Sequence, residues 1–153
     1  MKHLLIVSHT PSINSQALTD AVVRGAGHED ITGIELRALD ALETVPDDVL
    51  WSNAVILGTT ENFGYMSGGM KDFFDRIYYP CLEKTEALPY SLYIRAGNDG
   101  NGAKTSIERI VTGLRWKQVQ EPLICAGEFR QSCLDKCEEL GMTVAAGLEA
   151  GIY

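Results

Sequence analysis

The apolar residues of this chain alternate between strand-like and helix-like spacing from one end to the other. Residues 3–8 (HLLIVS) form an apolar run of the kind that is buried on both faces of a sheet. The next segment places Leu18, Ala21 and Val22 on one stripe of a helix, which we expect to end at Gly25 and Gly27. This alternation is typical of an α/β domain built on a parallel sheet.

The rest of the chain continues the pattern. Residues 33–39 (GIELRAL) alternate apolar and charged side chains, which predicts a half-exposed strand at a sheet edge. Ser67 is a suitable N-cap for a following helix. The buried side of that helix is predicted to carry Met66, Met70, Phe73, Phe74 and Ile77. The other predicted elements are a helical turn at 46–51, strands at 53–58, 90–97 and 121–127, and helices at 103–115 and 128–141.

The chain length and the element order together predict the architecture. A chain of 153 residues suits one core, so we predict one domain that spans residues 1–153. Each strand leads into a helix, and such crossovers are right-handed. We therefore expect a doubly wound, five-stranded parallel sheet with the flavodoxin-like strand order 2-1-3-4-5.

The charge of the chain argues against several classes of partner. Thirteen Lys and Arg residues against 21 Asp and Glu residues give a formal net charge of -8, which repels nucleic-acid phosphates and anionic membranes. No apolar segment is long enough to span a membrane, and the first residues lack the pattern of a signal peptide. We expect a cytoplasmic protein that binds neither nucleic acid nor membranes.

The four cysteines do not predict a disulfide scaffold or a metal site. Their number is small for the chain length, so we expect reduced thiols. Cys133 and Cys137 share a helix face at a spacing of four residues, which a metal pair would also require. Without a second pair or a neighbouring histidine, we favour packing as their role and predict no metal.

A ligand in such a sheet binds at the carboxyl ends of the strands, where the strand order reverses. The first strand ends in SHTPSINSQ. Its hydroxyls, amide and backbone N–H groups lie at the start of a helix, where the helix dipole also favours a phosphate. The residues concerned are Ser8, Thr10, Ser12, Asn14 and Ser15. Because Ser, Thr and Asn also favour helix caps, the same residues fit a capping loop that binds nothing.

Two further loops are expected at the same edge of the sheet. The third strand leads into GTTENFGYMSGGMKDFFDR (58–76), and the fourth ends in RAGNDGNG (95–102). Phe63 and Tyr65 in the second loop either pack beneath it or contact a flat aromatic ligand. A phosphate cradle at one end and a glycine-containing turn with aromatic residues at the other suit the shape of FMN.

The segment 58–76 resembles the flavin-loop signature of the flavodoxin-like NAD(P)H-dependent oxidoreductases, the group that contains FMN reductases and WrbA-type quinone reductases. The segment SHTPSINSQAL is similar to the phosphate loop of the same family. The resemblance implies noncovalent FMN, with its phosphate at the first loop and its ring against residues 59–65 and 96–101. The implied FMN-binding residues are Ser8, Thr10, Ser12, Asn14, Ser15, Thr59, Thr60, Glu61, Asn62, Phe63, Gly64, Tyr65, Ala96, Gly97, Asn98 and Gly100.

Within that set, Phe63 and Tyr65 would line the ring edge, and backbone amides near Glu61 and Asn62 would bind its polar rim. The sequence departs from the family pattern at two positions. Thr60 stands where the family usually has proline, so the turn loses a preset φ and gains a donor. Glu61 either brings a carboxylate towards the ring, which would lower the flavin potential, or points to solvent.

The resemblance implies an enzyme that passes electrons from NAD(P)H through FMN to a quinone or another small-molecule acceptor. No catalytic side chain is predicted, because the cofactor carries the chemistry, and we interpret His9 as a surface loop residue. Two alternatives stay open. One is a flavodoxin-type electron carrier without its own nicotinamide site, and the other is a flavin-free interaction domain on the same fold. We also expect a homodimer.

Overall fold

The computed structural model describes residues 1–153 as a sheet with helices on both faces. In chain order the elements are β1 (Lys2–Ser8), α1 (Ile13–Ala26), β2 (Ile34–Asp40), α2 (Pro46–Trp51), β3 (Ala54–Asn62), β4 (Tyr65–Met66), α3 (Gly68–Cys81), β5 (Pro89–Ala96), α4 (Asn101–Gly113), β6 (Lys117–Gln118), β7 (Leu123–Ala126) and α5 (Gln131–Glu149). The predicted α/β architecture with a parallel sheet is confirmed. None of the helices combines the length and the apolar character that a membrane span requires.

The long strands lie in the predicted order. β2, β1, β3 and β5 are neighbours in parallel, and β7 pairs with the far side of β5. The predicted number of five strands is wrong, because the sheet has seven. β4 pairs antiparallel with the end of β3, and β6 pairs with the start of β5, so β6 and β7 share the last position of the sheet. Strands of two residues show no periodicity, which is why the sequence did not predict them.

Each face of the sheet carries its own core. Leu5 and Val7 of β1 pack in one buried cluster with α3 and α4, and Leu4 and Ile6 pack in another with α1 and α5. This confirms that β1 is buried on both faces. β2 is a half-exposed edge strand, as predicted. The apolar stripe predicted for the region of α3 is also buried throughout.

Two glycines bring α1 and α5 close together. A Cβ at Gly25 would lie 1.9 Å from the carbonyl oxygen of Glu138, and one at Gly141 would lie 2.1 Å from that of Val22. The helix α1 continues through Gly25 and ends at its C-cap, Gly27. The prediction for Gly27 is confirmed, whereas Gly25 serves helix packing rather than termination.

Three helices begin where three strands end. β1, β3 and β5 run parallel and are followed, through short loops or the β3–β4 hairpin, by α1, α3 and α4. Ser67 is the N-cap of α3, as predicted, and its Oγ accepts a hydrogen bond of 3.3 Å from the backbone N–H of Met70. The fold therefore places the three predicted loops at one edge of the sheet.

Candidate functional site

The first loop ends in a capping box at the start of α1. The Oγ of Ser12 accepts a hydrogen bond of 3.2 Å from the Ser15 N–H, and the Oγ of Ser15 accepts one of 3.1 Å from the Ser12 N–H. The two hydroxyls are also 3.0 Å apart. The capping role that the sequence left open is thus present, and it fixes the backbone of the loop.

The capping box leaves other donors of this loop without a partner. The backbone N–H groups of Thr10, Ile13 and Asn14 make no hydrogen bond within the chain. The side chain of Asn14 is exposed, and no acidic residue lies in the first turn of α1. Free amides at the positive end of a helix, without a carboxylate in that turn, form a donor set that fits a phosphate.

Ser8 and Thr10 precede the capping box, and Ser8 is buried whereas Thr10 is half-buried. The Ser8 side chain is buried near the Tyr93 hydroxyl, which is 2.7 Å from the Thr19 Oγ1. Burial raises the pKa of Tyr93 far above its ordinary value, so this hydroxyl stays protonated. Thr10 donates a hydrogen bond of 2.8 Å to Gln16. Ser8 therefore supports the floor of the loop, and Thr10 lies at its surface.

His9 joins the first loop to α3. Its backbone N–H donates to the carbonyl of Gly58 at 3.0 Å, and its Nδ1 lies 2.8 Å from the Oγ of Ser67. The ring packs on Gly69, where a Cβ would come within 2.5 Å of the imidazole. The interpretation of His9 as a surface loop residue is therefore wrong, since the ring is half-buried and bridges two elements.

The second loop is a tight hairpin with an exposed aromatic tip. Asn62 pairs with Tyr65 across the β3–β4 ladder, so Phe63 and Gly64 are the two turn residues. Their φ angles of 52° and 71° are those of a type I′ turn. Phe63 is 107% exposed and Tyr65 is 42% exposed, so Phe63 does not pack beneath the loop. A bulky residue thus adopts a costly left-handed backbone without gaining any contact in the chain.

The threonines of the second loop stabilise the hairpin from inside. The Oγ1 of Thr59 accepts a hydrogen bond of 3.0 Å from the Ser67 N–H and donates one of 2.9 Å to the Thr60 carbonyl. The Oγ1 of Thr60 donates to the Asn62 side-chain oxygen at 3.1 Å. Both threonines are buried. The side-chain hydroxyl of Thr60 is therefore used within the loop.

Glu61 connects the second loop to the start of α4. Its carboxylate accepts hydrogen bonds from the backbone N–H groups of Gly100, Gly102 and Ala103, at 3.3, 3.0 and 3.2 Å. The carboxylate is therefore bound to the start of α4 and is not free in solvent, and its position relative to a flavin ring stays a prediction. Its charge is compensated by the positive end of a helix.

Gly102 and Arg95 hold the third loop in place. A Cβ at Gly102 would lie 1.9 Å from the carbonyl oxygen of Gly64, so hairpin and helix meet backbone to backbone. The Arg95 guanidinium donates to the carbonyls of Ala96, Cys125 and Gly127, at 2.7, 2.9 and 2.6 Å. The sequence reasoning missed both residues. The position of Arg95, at the end of a strand and before a glycine-rich loop, was the only local signal.

The predicted site residues thus lie on three loops that contact one another. His9 joins the first loop to the start of α3, which directly follows the β3–β4 hairpin. Glu61 joins this hairpin to the third loop. In the third loop Gly97 and Asn98 are exposed, whereas Ala96 and Gly100 are buried, with Gly100 at a φ of 75°. A cavity of about 330 Å³ borders Ser8 and Thr10 but does not reach the other loops. Binding of FMN by these residues stays a prediction.

Comparisons with known proteins concern the fold of the chain. No protein-family model matches the sequence. A curated flavodoxin from Aquifex aeolicus (strain VF5) is 26% identical over 114 residues, which cover 74% of this chain and 60% of that protein. The chain therefore spans less than two thirds of the length of this relative.

Solved structures resemble the whole chain. A flavodoxin from the domain Archaea has a TM-score of 0.81 at 16% identity, covering 96% of this chain and 99% of that one. A flavodoxin, WrbA-like protein from Agrobacterium tumefaciens has a TM-score of 0.73 at 18% identity, covering 95% and 96%. From its strand order and these likenesses, the chain has a flavodoxin-like fold.

Proposed function

We propose that this protein binds FMN at the edge formed by the three loops and transfers electrons through it. The observation that carries the proposal is the start of α1, where the amides of Thr10, Ile13 and Asn14 have no acceptor in the chain and no carboxylate lies in the first turn. The flavodoxin name of the Aquifex relative and the flavodoxin-like fold support it. When bound, FMN supplies reversible one- and two-electron chemistry.

The residues of the chain divide the binding task between the two ends of the ligand. The Ser12–Ser15 capping box holds the free amides of the first loop in place for the phosphate. The exposed rings of Phe63 and Tyr65 are available to cover the edge of the flavin ring. Glu61 binds the start of α4 and thereby holds the hairpin and the third loop at a constant separation.

Two redox roles are compatible with this site. The likeness of residues 58–76 to the flavin loop of the reductases supports an NAD(P)H-dependent oxidoreductase with a quinone or another small acceptor. The flavodoxin relative and the net charge of -8, which suits docking to a basic partner, support an electron carrier.

Steady-state oxidation of NAD(P)H with a quinone and without any added reductase distinguishes the two roles. Turnover that depends on bound FMN would assign the oxidoreductase role to the protein. FMN-loaded protein that does not oxidise NAD(P)H, but accepts electrons from a separate reductase, assigns the carrier.

A substitution at Ser12 tests the phosphate end. Ser12→Asp keeps a good N-cap but sets a carboxylate against the phosphate, and Ser12→Asn is a neutral cap that serves as the matched control. We expect the aspartate variant to lose about tenfold or more in FMN affinity, from a charge repulsion of a few kcal/mol before screening. The asparagine variant should bind FMN nearly as well as wild type.

Riboflavin, which lacks the phosphate, provides the second arm of this experiment. Wild type should bind riboflavin more weakly than FMN, and the aspartate variant should not weaken riboflavin binding further. Equal affinity of wild type for both flavins, or unchanged FMN affinity in the folded aspartate variant, would refute the phosphate assignment.

A further inference from the structure

A groove between α3 and α4 begins at the β3–β4 hairpin and continues along both helices. It consists of two cavities of about 490 Å³ and 340 Å³, and both are lined by Lys71, Arg109 and Ile110. The larger cavity borders Gly64 and Tyr65 of the hairpin. Each volume lies in the range of roughly 300–1,000 Å³ that is typical of small-molecule sites. We call this feature the α3–α4 groove.

One wall of the α3–α4 groove is a polar stripe of α4. Asn101, Thr105 and Arg109 follow each other at intervals of four residues, so their side chains lie on one face of the helix. All three are exposed and line the groove. None of their side chains makes a hydrogen bond or an ion pair within the chain. An amide, a hydroxyl and a guanidinium are therefore free to bind a ligand.

The opposite wall adds a second cation. The ammonium of Lys71 hydrogen bonds the carboxylate of Asp75, and this contact raises the pKa of Lys71, so the side chain stays charged. Asp75 also lines the groove and compensates Lys71, whereas the Arg109 guanidinium has no carboxylate partner. The groove therefore carries an excess positive charge on a chain whose formal net charge is -8, which favours an anionic ligand.

Aromatic side chains lie at both ends of the groove. Tyr65 is at the hairpin end and is 42% exposed. Tyr78 and Tyr79 are at the other end, where Tyr79 is 79% exposed and the two rings meet edge to face. Exposed tyrosine rings are available to stack against a flat heterocycle. The combination fits a ligand with a flat ring, hydroxyl groups and negative charge.

We propose that the α3–α4 groove binds the adenosine diphosphate half of a nicotinamide dinucleotide, with Arg109 and Lys71 at the phosphates and a tyrosine against the adenine ring. This inference rests on the NAD(P)H-dependent role proposed above. Gly64 and Tyr65 belong both to the groove and to the predicted flavin contacts. A dinucleotide whose adenine lies at the Tyr78 and Tyr79 end of the groove therefore directs its other half towards the flavin loops.

The experiment measures the binding of ADP and of adenosine to FMN-loaded protein by calorimetry. We expect ADP to bind wild type, and Arg109→Gln to raise the Kd of ADP about tenfold, as for the loss of a charge-assisted hydrogen bond. Adenosine should bind wild type and Arg109→Gln equally, because it carries no phosphate. Arg115→Gln is the matched control, since Arg115 lies just beyond α4, pairs with Glu86 and does not line the groove, and it should leave the Kd of ADP unchanged.

Absence of ADP binding to FMN-loaded wild type, or an equal Kd in Arg109→Gln, would overturn the inference. FMN affinity and stoichiometry, measured on the same samples, test the proposed function separately and should not change with Arg109→Gln. Sedimentation of the same proteins tests another occupant of the groove. A wild-type dimer that Arg109→Gln dissociates and that ADP does not affect would assign the groove to contact between two copies of the chain.

Discussion

Phe63→Asn should make the apoprotein more stable and at the same time weaken FMN binding. Phe63 has a φ of 52° at the tip of the hairpin and is fully exposed, so its ring contributes no packing to the chain. Asparagine tolerates the left-handed backbone far better, and Asn-Gly is the preferred pair for a type I′ turn. A residue that costs stability without a contact in the chain is best explained by a contact with a ligand.

The two effects have comparable size. The left-handed conformation costs an ordinary residue about 1–2 kcal/mol, and we expect about 1 kcal/mol to be recovered, which corresponds to a Tm increase of about 2–4 °C for a chain of this size. If FMN covers about 60 Å² of the ring, the lost contact is worth about 1.5 kcal/mol at 25 cal/mol per Å². That value corresponds to an increase of about tenfold in the Kd of FMN.

Glu83→Asn is the matched control for this prediction. Glu83 is also exposed and has a φ of 66°, but it lies between α3 and β5, away from the three loops. The control should gain similar stability and leave the Kd of FMN unchanged. Urea unfolding of the apoproteins and titration of FMN fluorescence measure the two quantities. A less stable Phe63→Asn apoprotein, or one with wild-type FMN affinity, would refute the reasoning.

Three further predictions concern residues whose roles only the structure shows. Glu61→Gln should lower the free energy of unfolding in urea by about 2 kcal/mol, because three backbone N–H groups lose a charged acceptor. The potential of bound FMN should change little in this variant, and a rise of several tens of millivolts in a dye-equilibrated titration would place the carboxylate beside the ring instead. Gly102→Ala should displace the hairpin and weaken FMN binding, because the new Cβ would meet the carbonyl of Gly64, while the circular dichroism of the helices is retained. Gly68→Ala is the control and should bind FMN normally, since Gly68 has open space around it. Burial raises the pKa of the Cys81 thiol to about 11, so native protein should resist alkylation there at pH 8 by peptide mass spectrometry. In unfolding measured against pH, the stability that the protonated thiol contributes should be complete below its ordinary pKa of 9.0 and lost as the pH rises through 11. Rapid alkylation of the native protein, or a free energy of unfolding that does not change between these pH values, would contradict the assignment.

The sequence alone determined the α/β class and the order of the long strands, because periodicity, capping and edge alternation are local properties. The buried stripe of α3, the Ser67 cap and the half-exposed strand β2 were all predicted from residues within one element. The positions of the three loops followed, because a parallel sheet places the carboxyl ends of its strands at one edge.

Only the tertiary structure decided how the loops are held together. Glu61 binds an amide 41 residues away, and His9 contacts a hydroxyl 58 residues away, so neither partner could be identified from local spacing. Gly25 was interpreted as a helix end and Gly102 gave no signal, but each marks a close approach of two backbones. Such contacts depend on which atoms of distant segments meet, and a hydrophobic pattern records only which face of each element is buried.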